Sequence, residues 1–248
     1  MKRLICLIIL AYWANNAQSQ TKTEKLVPVK AGQNINMDFT WPELITIKTW
    51  DRNEVKLVAS GDINKGQNDD SFIFEVNESS SEVTIASLIR NFKSLPKKIM
   101  FHKDGQEYFF NTDDYNSPEV RAFKKKHGHN GYESMSHGVI MDITLEVWVP
   151  ANVRLDVYSK FGMVEVHGFA GDMNIHSKFG GVDVSTSGNQ AIKAGTKFGE
   201  KYTNLVGKIE TISFGNHPGA WDWVMVGDGK TQQEVKSDFG DVYLRKGN

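Results

Sequence analysis

The tetrapeptide Ser-Lys-Phe-Gly occurs at residues 159–162 and again at residues 177–180, eighteen positions later. Further Phe-Gly pairs begin at Phe198, Phe214 and Phe239, after intervals of 19, 16 and 25 residues. Internal similarity with a period near 20 residues is typical of solenoid proteins, in which each repeat stacks on its neighbour. This repeat constrains the fold of the C-terminal half more strongly than any other feature.

The hydrophobic alternation changes phase at each Phe-Gly pair. Val157 and Phe161 share one parity, whereas Val164 and Val166 have the other. A phase change at a glycine predicts a corner or bulge, and glycine suits it because a positive φ carries no steric cost there. Each repeat is therefore expected to run strand, corner, strand, corner, with successive coils about 4.8 Å apart.

Equivalent positions of the repeats are predicted to form ladders along the stacked coils. The Phe side chains are expected to lie inside, next to a ladder of hydroxyl groups two positions earlier. The fourth repeat lacks the residue between Ser213 and Phe214, so its geometry is the least regular. The predicted structural ladder is Phe161, Gly162, Phe179, Gly180, Phe198, Gly199, Phe214, Gly215, Phe239 and Gly240, with hydroxyls from Ser159, Ser177, Thr196 and Ser237.

The N-terminal part also alternates in the manner of strands. Residues 44–50 and 54–60 are separated by Asp51-Arg52-Asn53, which predicts a hairpin, and residues 71–77 and 81–87 predict another. Residues 94–138 break the pattern with charged runs and glycines. We predict an irregular, mobile excursion with a short helix after Pro118, because so long a loop is unusual in a compact domain.

The predicted fold class is all-β. It is a single-stranded right-handed β-helix or β-roll solenoid, with an N-terminal antiparallel strand region continuous with it. The predicted divisions are a signal peptide at residues 1–19, a β-strand region at 20–93, the charged insertion at 94–138 and the solenoid at 139–248.

The N-terminus has the pattern of an export signal. Lys2 and Arg3 precede an apolar run at residues 4–12, which is too short to span a bilayer, and Ala17-Gln18-Ser19 supplies small residues for cleavage before Gln20. The sole cysteine is Cys6, so the exported chain is expected to contain no disulfide, thiolate nucleophile or Cys-ligated zinc. We expect a periplasmic or cell-surface location.

The charge balance argues against nucleic acid as a partner. Without Lys2 and Arg3 the chain has 27 basic and 30 acidic residues, a net charge of −3 with histidine neutral. No later segment approaches eighteen consecutive apolar residues, so no transmembrane helix is expected in the exported chain.

The segments "ITIKTWDRNEVKLVAS" and "LEVWVPANVRLDVYSKFGMVEV", together with the Phe-Gly repeats, resemble a bacterial exported adhesin-like family of unknown function. The resemblance covers most of the exported chain and is weakest over residues 94–137. It implies a right-handed β-helix or β-roll, a cell-envelope location and a non-enzymatic role. It brings no established catalytic residues.

Three lysines are the main binding candidates. Lys160, Lys178 and Lys197 occupy the same outward position on three coils, and Asp238 takes that position in the last repeat. Closely spaced ammonium groups could bind an anionic glycan or phosphate. The simpler interpretation, which the sequence favours, is a solvated edge whose lysines discourage aggregation.

Other constellations carry weaker signals. Glu165 and Asp183 are equivalent outward acids, as in polysaccharide hydrolases and lyases that pair an acid with a base. His127 and His129, with His137, could hold a metal, but the spacing is not a zinc signature and a solvated loop is favoured.

Two features near the C-terminus are also interpreted as structural. The segment Gly-Asp-Gly-Lys at residues 227–230 lacks the frame of a phosphate-binding loop and is predicted to be a turn. Trp221 and Trp223 could form a sugar-stacking platform, although a core or capping role is favoured. No cofactor motif and no metal site are assigned.

Two functions remain open. The leading hypothesis is a non-enzymatic envelope module that binds an envelope glycan or another envelope protein, with an unknown oligomeric state. The alternative is a carbohydrate-active hydrolase or lyase that uses outward carboxylates. A groove lined by acids and exposed aromatic rings would favour the alternative, and a flat polar face would favour the first.

The signal peptide gives the first testable prediction. Intact-mass analysis of the protein from its native envelope should show a chain that begins near Gln20, because signal peptidase reads the small residues before it. Recovery of the exported protein with Met1 retained would contradict the assignment.

Overall fold

A computed structural model describes residues 20–128, 131–186, 191–198, 201–205, 209–213, 223–224, 231–239 and 242–246. Within these residues the chain forms strands, one α-helix and two short 3-10 helices at Asp69–Ser71 and Phe92–Ser94. The elements before the repeats are β1 (Thr21–Pro28), β2 (Asn34–Phe39), β3 (Leu44–Trp50), β4 (Glu54–Ile63), β5 (Phe72–Glu78), β6 (Glu82–Ile89), β7 (Lys98–Lys103), β8 (Gln106–Phe110), α1 (Pro118–His127), β9 (Ser134–Gly138) and β10 (Met141–Pro150).

The repeats supply the remaining strands. They are β11 (Leu155–Ser159), β12 (Met163–Phe169), β13 (Met173–Ser177), β14 (Val182–Thr186), β15 (Ile192–Phe198), β16 (Lys201–Leu205), β17 (Ile209–Ser213), β18 (Trp223–Val224), β19 (Thr231–Phe239) and β20 (Val242–Lys246). The all-β class predicted from the alternation is confirmed at this level.

Two large mixed sheets contain most of these strands. One has the order β1-β4-β10-β3-β12-β14-β16-β20, and the other has the order β18-β17-β19-β15-β13-β11-β2-β6-β5. Both sheets are open, since each ends in edge strands. A third sheet, of order β8-β7-β9, is smaller and separate.

Successive repeat strands alternate between the two large sheets. Strands β11, β13, β15 and β19 pair in parallel in one sheet, and β12, β14, β16 and β20 pair in parallel in the other. The N-terminal strands β2 and β3 extend the same two rows, because β2 pairs with β11 and β3 pairs with β12.

The strand registers confirm that the repeated letters are equivalent positions. Ser159 lies opposite Ser177, Ser177 opposite Thr196, and Thr196 opposite Ser237. The fourth Phe-Gly pair departs from this order. Strand β17, which ends just before it, pairs with the far side of β19 and does not lie between β15 and β19. Residues 214–220 themselves lie outside the described part of the chain.

One hydrophobic core lies between the large sheets. Alternating strand residues supply it, as the period of a strand requires. Val157 and Ile175 come from one sheet, Val164 and Ile47 come from the other, and all four are 3% exposed or less. N-terminal and repeat strands contribute to this same cluster of buried side chains.

Of the two predicted N-terminal hairpins, one forms and the other does not. Strands β5 and β6 form the antiparallel pair expected from their alternation. Strands β3 and β4 do not pair, because β10 lies between them, parallel to β3 and antiparallel to β4. The short turn at residues 51–53 is compatible with a hairpin. Instead, β10, which lies nearly a hundred residues later than β3, forms the backbone hydrogen bonds with both β3 and β4.

The predicted irregular excursion is in fact folded. Strands β7, β8 and β9 form an antiparallel sheet, and α1 begins at Pro118 as expected. Ile99, Phe101, Val120 and Phe123 form a second buried cluster. The expectation that residues 94–138 are irregular is therefore wrong, because strand and helix residues far apart in sequence form a small hydrophobic core.

The predicted signal peptide, residues 1–19, lies outside the described residues. Within the described residues no helix has both the length and the apolar character needed to cross a membrane.

The small aromatic core predicts how the insertion responds to protease. The Phe101 ring packs 4.7 Å from Phe123 and 4.7 Å from Tyr132, measured between ring centroids. Phe101→Ala should cost about 3–5 kcal/mol, as for other buried aromatic residues. Trypsin should then cut at Lys124–Lys126 much faster than in the wild type, as read by limited proteolysis with mass mapping.

Met135→Ala is the matched control for this experiment, because Met135 lies in the same small sheet but is 39% exposed. Equal cutting rates in the wild type and in Phe101→Ala would show that the aromatic cluster does not protect α1.

Candidate functional site

The site lies at the corner that joins β11 to β12, and the same arrangement recurs in the next repeats. Ser159 is fully buried, and its hydroxyl donates to the Gly162 carbonyl at 2.9 Å and accepts from the Gly162 amide at 3.1 Å. Ser177 also donates to the Gly162 carbonyl, at 2.9 Å, and accepts from the Gly180 amide. Thr196 donates to the Gly180 carbonyl at 2.8 Å. The inward hydroxyls thus tie each corner to its neighbour.

The glycines of the corner are required by close packing. A Cβ on Gly162 would lie 2.1 Å from the Pro42 carbonyl oxygen, and one on Gly180 would lie 2.2 Å from the Gly162 carbonyl oxygen. Neither glycine has a positive φ, whereas Gly168 does, at +65°. Glycine is therefore needed at these two corners because a side chain would not fit, and not because of the positive φ that the sequence predicted. Gly199, Gly215 and Gly240 lie outside the described residues.

The Phe side chains point outward, which corrects the predicted internal ladder. Phe161, Phe179 and Phe198 are 45%, 43% and 42% exposed. Strand β11 ends at Ser159, so the parity of a straight strand no longer applies two residues later. The buried hydroxyl occupies the inner position, and the ring is turned to the surface. Phe214 lies outside the described residues, as does the side chain of Phe239.

The exposed rings stack along the coils. The centroids of Phe161 and Phe179 are 5.6 Å apart with planes 15° from parallel, and those of Phe179 and Phe198 are 5.3 Å apart at 12°. Backbone hydrogen bonds hold this spacing, because Phe179 N donates to Lys160 O and Phe198 N donates to Lys178 O.

The three lysines accompany the rings. The Nζ atoms of Lys160, Lys178 and Lys197 lie 5.0, 4.9 and 5.5 Å from the ring centroids of the following Phe residues. The six side chains form one surface, which we name the Phe–Lys ladder: Lys160, Phe161, Lys178, Phe179, Lys197 and Phe198.

Among the described residues, no acid forms an ion pair with the Phe–Lys ladder. None of its lysines forms an ion pair with another described residue. Some cations elsewhere do have acidic partners, since Lys48 pairs with Glu146 at 3.0 Å and Arg154 pairs with Asp156 at 3.2 Å. The ladder is therefore a row of positive charges flanked by exposed aromatic rings.

Trp41 extends the row by one coil, and sequence reasoning missed it. Phe39 lies opposite Ser159, so Trp41 occupies the place that Phe161 has on the next coil. Its ring lies 6.1 Å from Phe161 and 4.3 Å from Phe92. The signal was the aromatic residue two positions after the last inward residue of β2, although no glycine follows it.

An acidic cleft of about 620 Å³ begins beside Trp41 and Phe161, between the small sheet and the main body. Burial, with a smaller contribution from Asp142, raises the pKa of Glu43. Burial also raises the pKa of Asp62, and Lys65 opposes this shift. The charged and titratable side chains that line the cleft are Glu43, Asp62, Lys65, His102, Glu107 and Asp142.

The predicted acid pair is present but does not line this cleft. Glu165 lies opposite Asp183 on neighbouring strands, and Glu165 is 3.7 Å from the imidazole of His167. Thr46 precedes the pair and Tyr202 follows it in the strand register, so the row of acids extends over two strands.

The predicted histidine group is dispersed. His127 packs 4.6 Å from Phe123, whereas His137 packs 4.8 Å from Tyr115. Among the described residues no group of three potential ligands could hold a metal ion. His129, Trp221 and the turn predicted at residues 227–230 lie outside the described residues, as does the side chain of Trp223.

Comparison with solved structures finds a protein with a similar fold. It is a protein of Clostridium sporogenes ATCC 15579 described as a "putative cell adhesion protein", with 10% identity and a TM-score of 0.52. The similarity covers 92% of this chain and all of that chain. No family model matches the chain, and the search of curated proteins finds no match.

Exposure of the ladder predicts a small contribution to stability. Phe179→Ala should lower the free energy of unfolding by about 1–2 kcal/mol, since stacked aromatic pairs contribute about 0.5–1.5 kcal/mol each. Ile175→Ala, four residues earlier in β13 and fully buried, should cost about 2–5 kcal/mol. Denaturant titration compares the two, and a larger loss for Phe179→Ala would place that ring inside the core.

Proposed function

We propose that this protein is a non-enzymatic binding module of the bacterial cell envelope, exported and built as a right-handed β-roll. The observation that carries the proposal is the Phe–Lys ladder, which presents the same cation and the same ring on three neighbouring coils. A bound partner can bury the exposed aromatic rings and pair with the cations that lack acidic partners, and both contacts favour binding. A surface that repeats the same side chains suits a polymer that repeats the same chemical unit.

The β-roll part of this proposal rests on strand connectivity. Except at Phe214, each Phe-Gly pair lies between a strand of one large sheet and a strand of the other, and these repeats stack in parallel in both sheets. The adhesin-like part is supported by the fold shared with the Clostridium sporogenes protein and by the family resemblance of the repeats.

A second candidate is favoured by the acidic cleft. A polysaccharide-active enzyme needs a carboxyl group that stays protonated and a second carboxylate nearby. Burial raises the pKa of Glu43, and Asp142 lies near enough to contribute to that shift, so the cleft places two carboxyl groups beside the aromatic side chains of Trp41 and Phe161. In this candidate the acids differ from Glu165 and Asp183, the pair suggested by the sequence.

One experiment separates the two functions. The exported protein is applied to an array of neutral and acidic polysaccharides, and the same polysaccharides are assayed for new chain ends after incubation. We expect retention on the array without new chain ends. Failure to bind any polysaccharide would contradict the binding function. New chain ends that disappear in Glu43→Gln but persist in Glu165→Gln would establish the enzyme.

A further inference from the structure

We propose that the Phe–Lys ladder binds a linear acidic polysaccharide that runs along the stacking direction of the coils, across the strands. This inference rests on the proposed binding function and adds the chemical class and the direction of the ligand. Each coil would contact one stretch of the polymer, with a sugar ring against Phe and an acidic group near Lys.

The charge of the ladder selects an anionic ligand. Its three lysines lie on neighbouring coils whose strands are in register, so their spacing follows that of the strands. They have no acidic partner among the described residues, although the exported chain carries an excess of acids overall. A polymer with repeated negative charges satisfies all three at once, and a second copy of the ladder would be repelled.

The rings select a ligand with apolar faces. Phe161, Phe179 and Phe198 are each more than two-fifths exposed, so a purely ionic polymer would leave that apolar surface in water. A pyranose ring carries C–H groups that can pack against the outer side of the stacked rings, while its carboxylate projects toward a lysine. Lysine beside each ring matches that combination.

The corner geometry disfavours an extended peptide. The amides of Lys178, Phe179 and Phe198 already donate to carbonyls of the neighbouring coil, so they are not available to pair with an added strand. Side chains on one face of a peptide strand also repeat every ~6.6 Å. That repeat falls out of step with ring spacings of 5.6 and 5.3 Å.

Single-stranded nucleic acid also fits the ladder poorly. Such strands bind by stacking their bases on separate aromatic side chains. Here the three Phe rings stack on one another, with planes 12–15° from parallel, so no base can enter between neighbours. A sugar polymer lying along the outer side of the stack needs no such gap.

The proposed binding surface has an uncharged end at Trp41. It continues the aromatic row beyond Phe161, but Thr40 replaces lysine at the equivalent position. The unit at this end would therefore be held by stacking alone. Beyond it begins the acidic cleft, which repels further negative charge.

The test measures binding of a series of oligogalacturonates of increasing length to the full exported protein by calorimetry. Affinity should rise with length until the oligomer spans the three lysines, and it should fall as salt increases. Lys178→Gln should weaken binding about two- to fivefold, as for an exposed ion pair. Phe179→Ala should weaken it about three- to tenfold.

Matched controls come from the same chain. Lys25→Gln makes the same charge change at an exposed residue of β1, and Tyr158→Ala removes an exposed ring of β11 that lies outside the ladder. Both should bind as the wild type does. Carboxyl-reduced oligomers of the same length should bind at least tenfold more weakly.

The outcomes separate this inference from the proposed function. Equal binding of the carboxyl-reduced oligomers, or unchanged binding in both ladder variants, would overturn the inference while leaving a glycan-binding protein. Tighter binding of an acidic peptide or of single-stranded DNA would also overturn it. Failure to bind any polysaccharide would remove the proposed function as well.

Discussion

The buried hydroxyl at each corner is the interaction on which the repeats depend. The Ser177 hydroxyl donates to the carbonyl of Gly162 on one coil and accepts from the amide of Gly180 on its own coil. A buried polar group must be hydrogen-bonded, so this pair of bonds holds neighbouring corners at one distance. Glycine follows from the same requirement, because a Cβ on Gly180 would overlap the Gly162 carbonyl. The buried serine and the corner glycine therefore act together, and they link the two large sheets at each repeat.

The corner geometry also determines which side chains are exposed. The corner amides are used between coils, and the inner position is taken by a hydroxyl, so the two residues between Ser and Gly can only face solvent. Lysine and phenylalanine there are repeated at the spacing of the strands, with rings 5.6 and 5.3 Å apart. A solvated edge would need only the lysine to discourage pairing with other strands. Three exposed rings in the same row go beyond that protective role, and the proposed binding function rests on them.

Local rules predicted the repeats well and the long-range contacts poorly. The equivalence of Ser159 with Ser177 could be predicted from spacing alone, since identical repeats that stack must bring identical letters together. The side occupied by Phe161 could not, because counting parity assumes a straight strand and this strand ends at Ser159. Trp41 was missed because its corner has no glycine. The small core of residues 94–138 was missed because Phe101 and Phe123 come together only when a sheet and a helix pack.

The two charged surfaces near Trp41 limit what each can bind. The ladder is a row of cations, while the cleft beside Phe161 holds carboxyl groups, and there burial, with a smaller contribution from Asp142, raises the pKa of Glu43. An acidic polymer on the ladder gains from every lysine it passes and loses on entering the cleft. Its favourable path therefore runs from the third lysine toward Trp41 and stops there. A neutral or basic group would instead be accepted by the cleft, so the same polymer could use both surfaces only if its charged and uncharged units were separated along the chain.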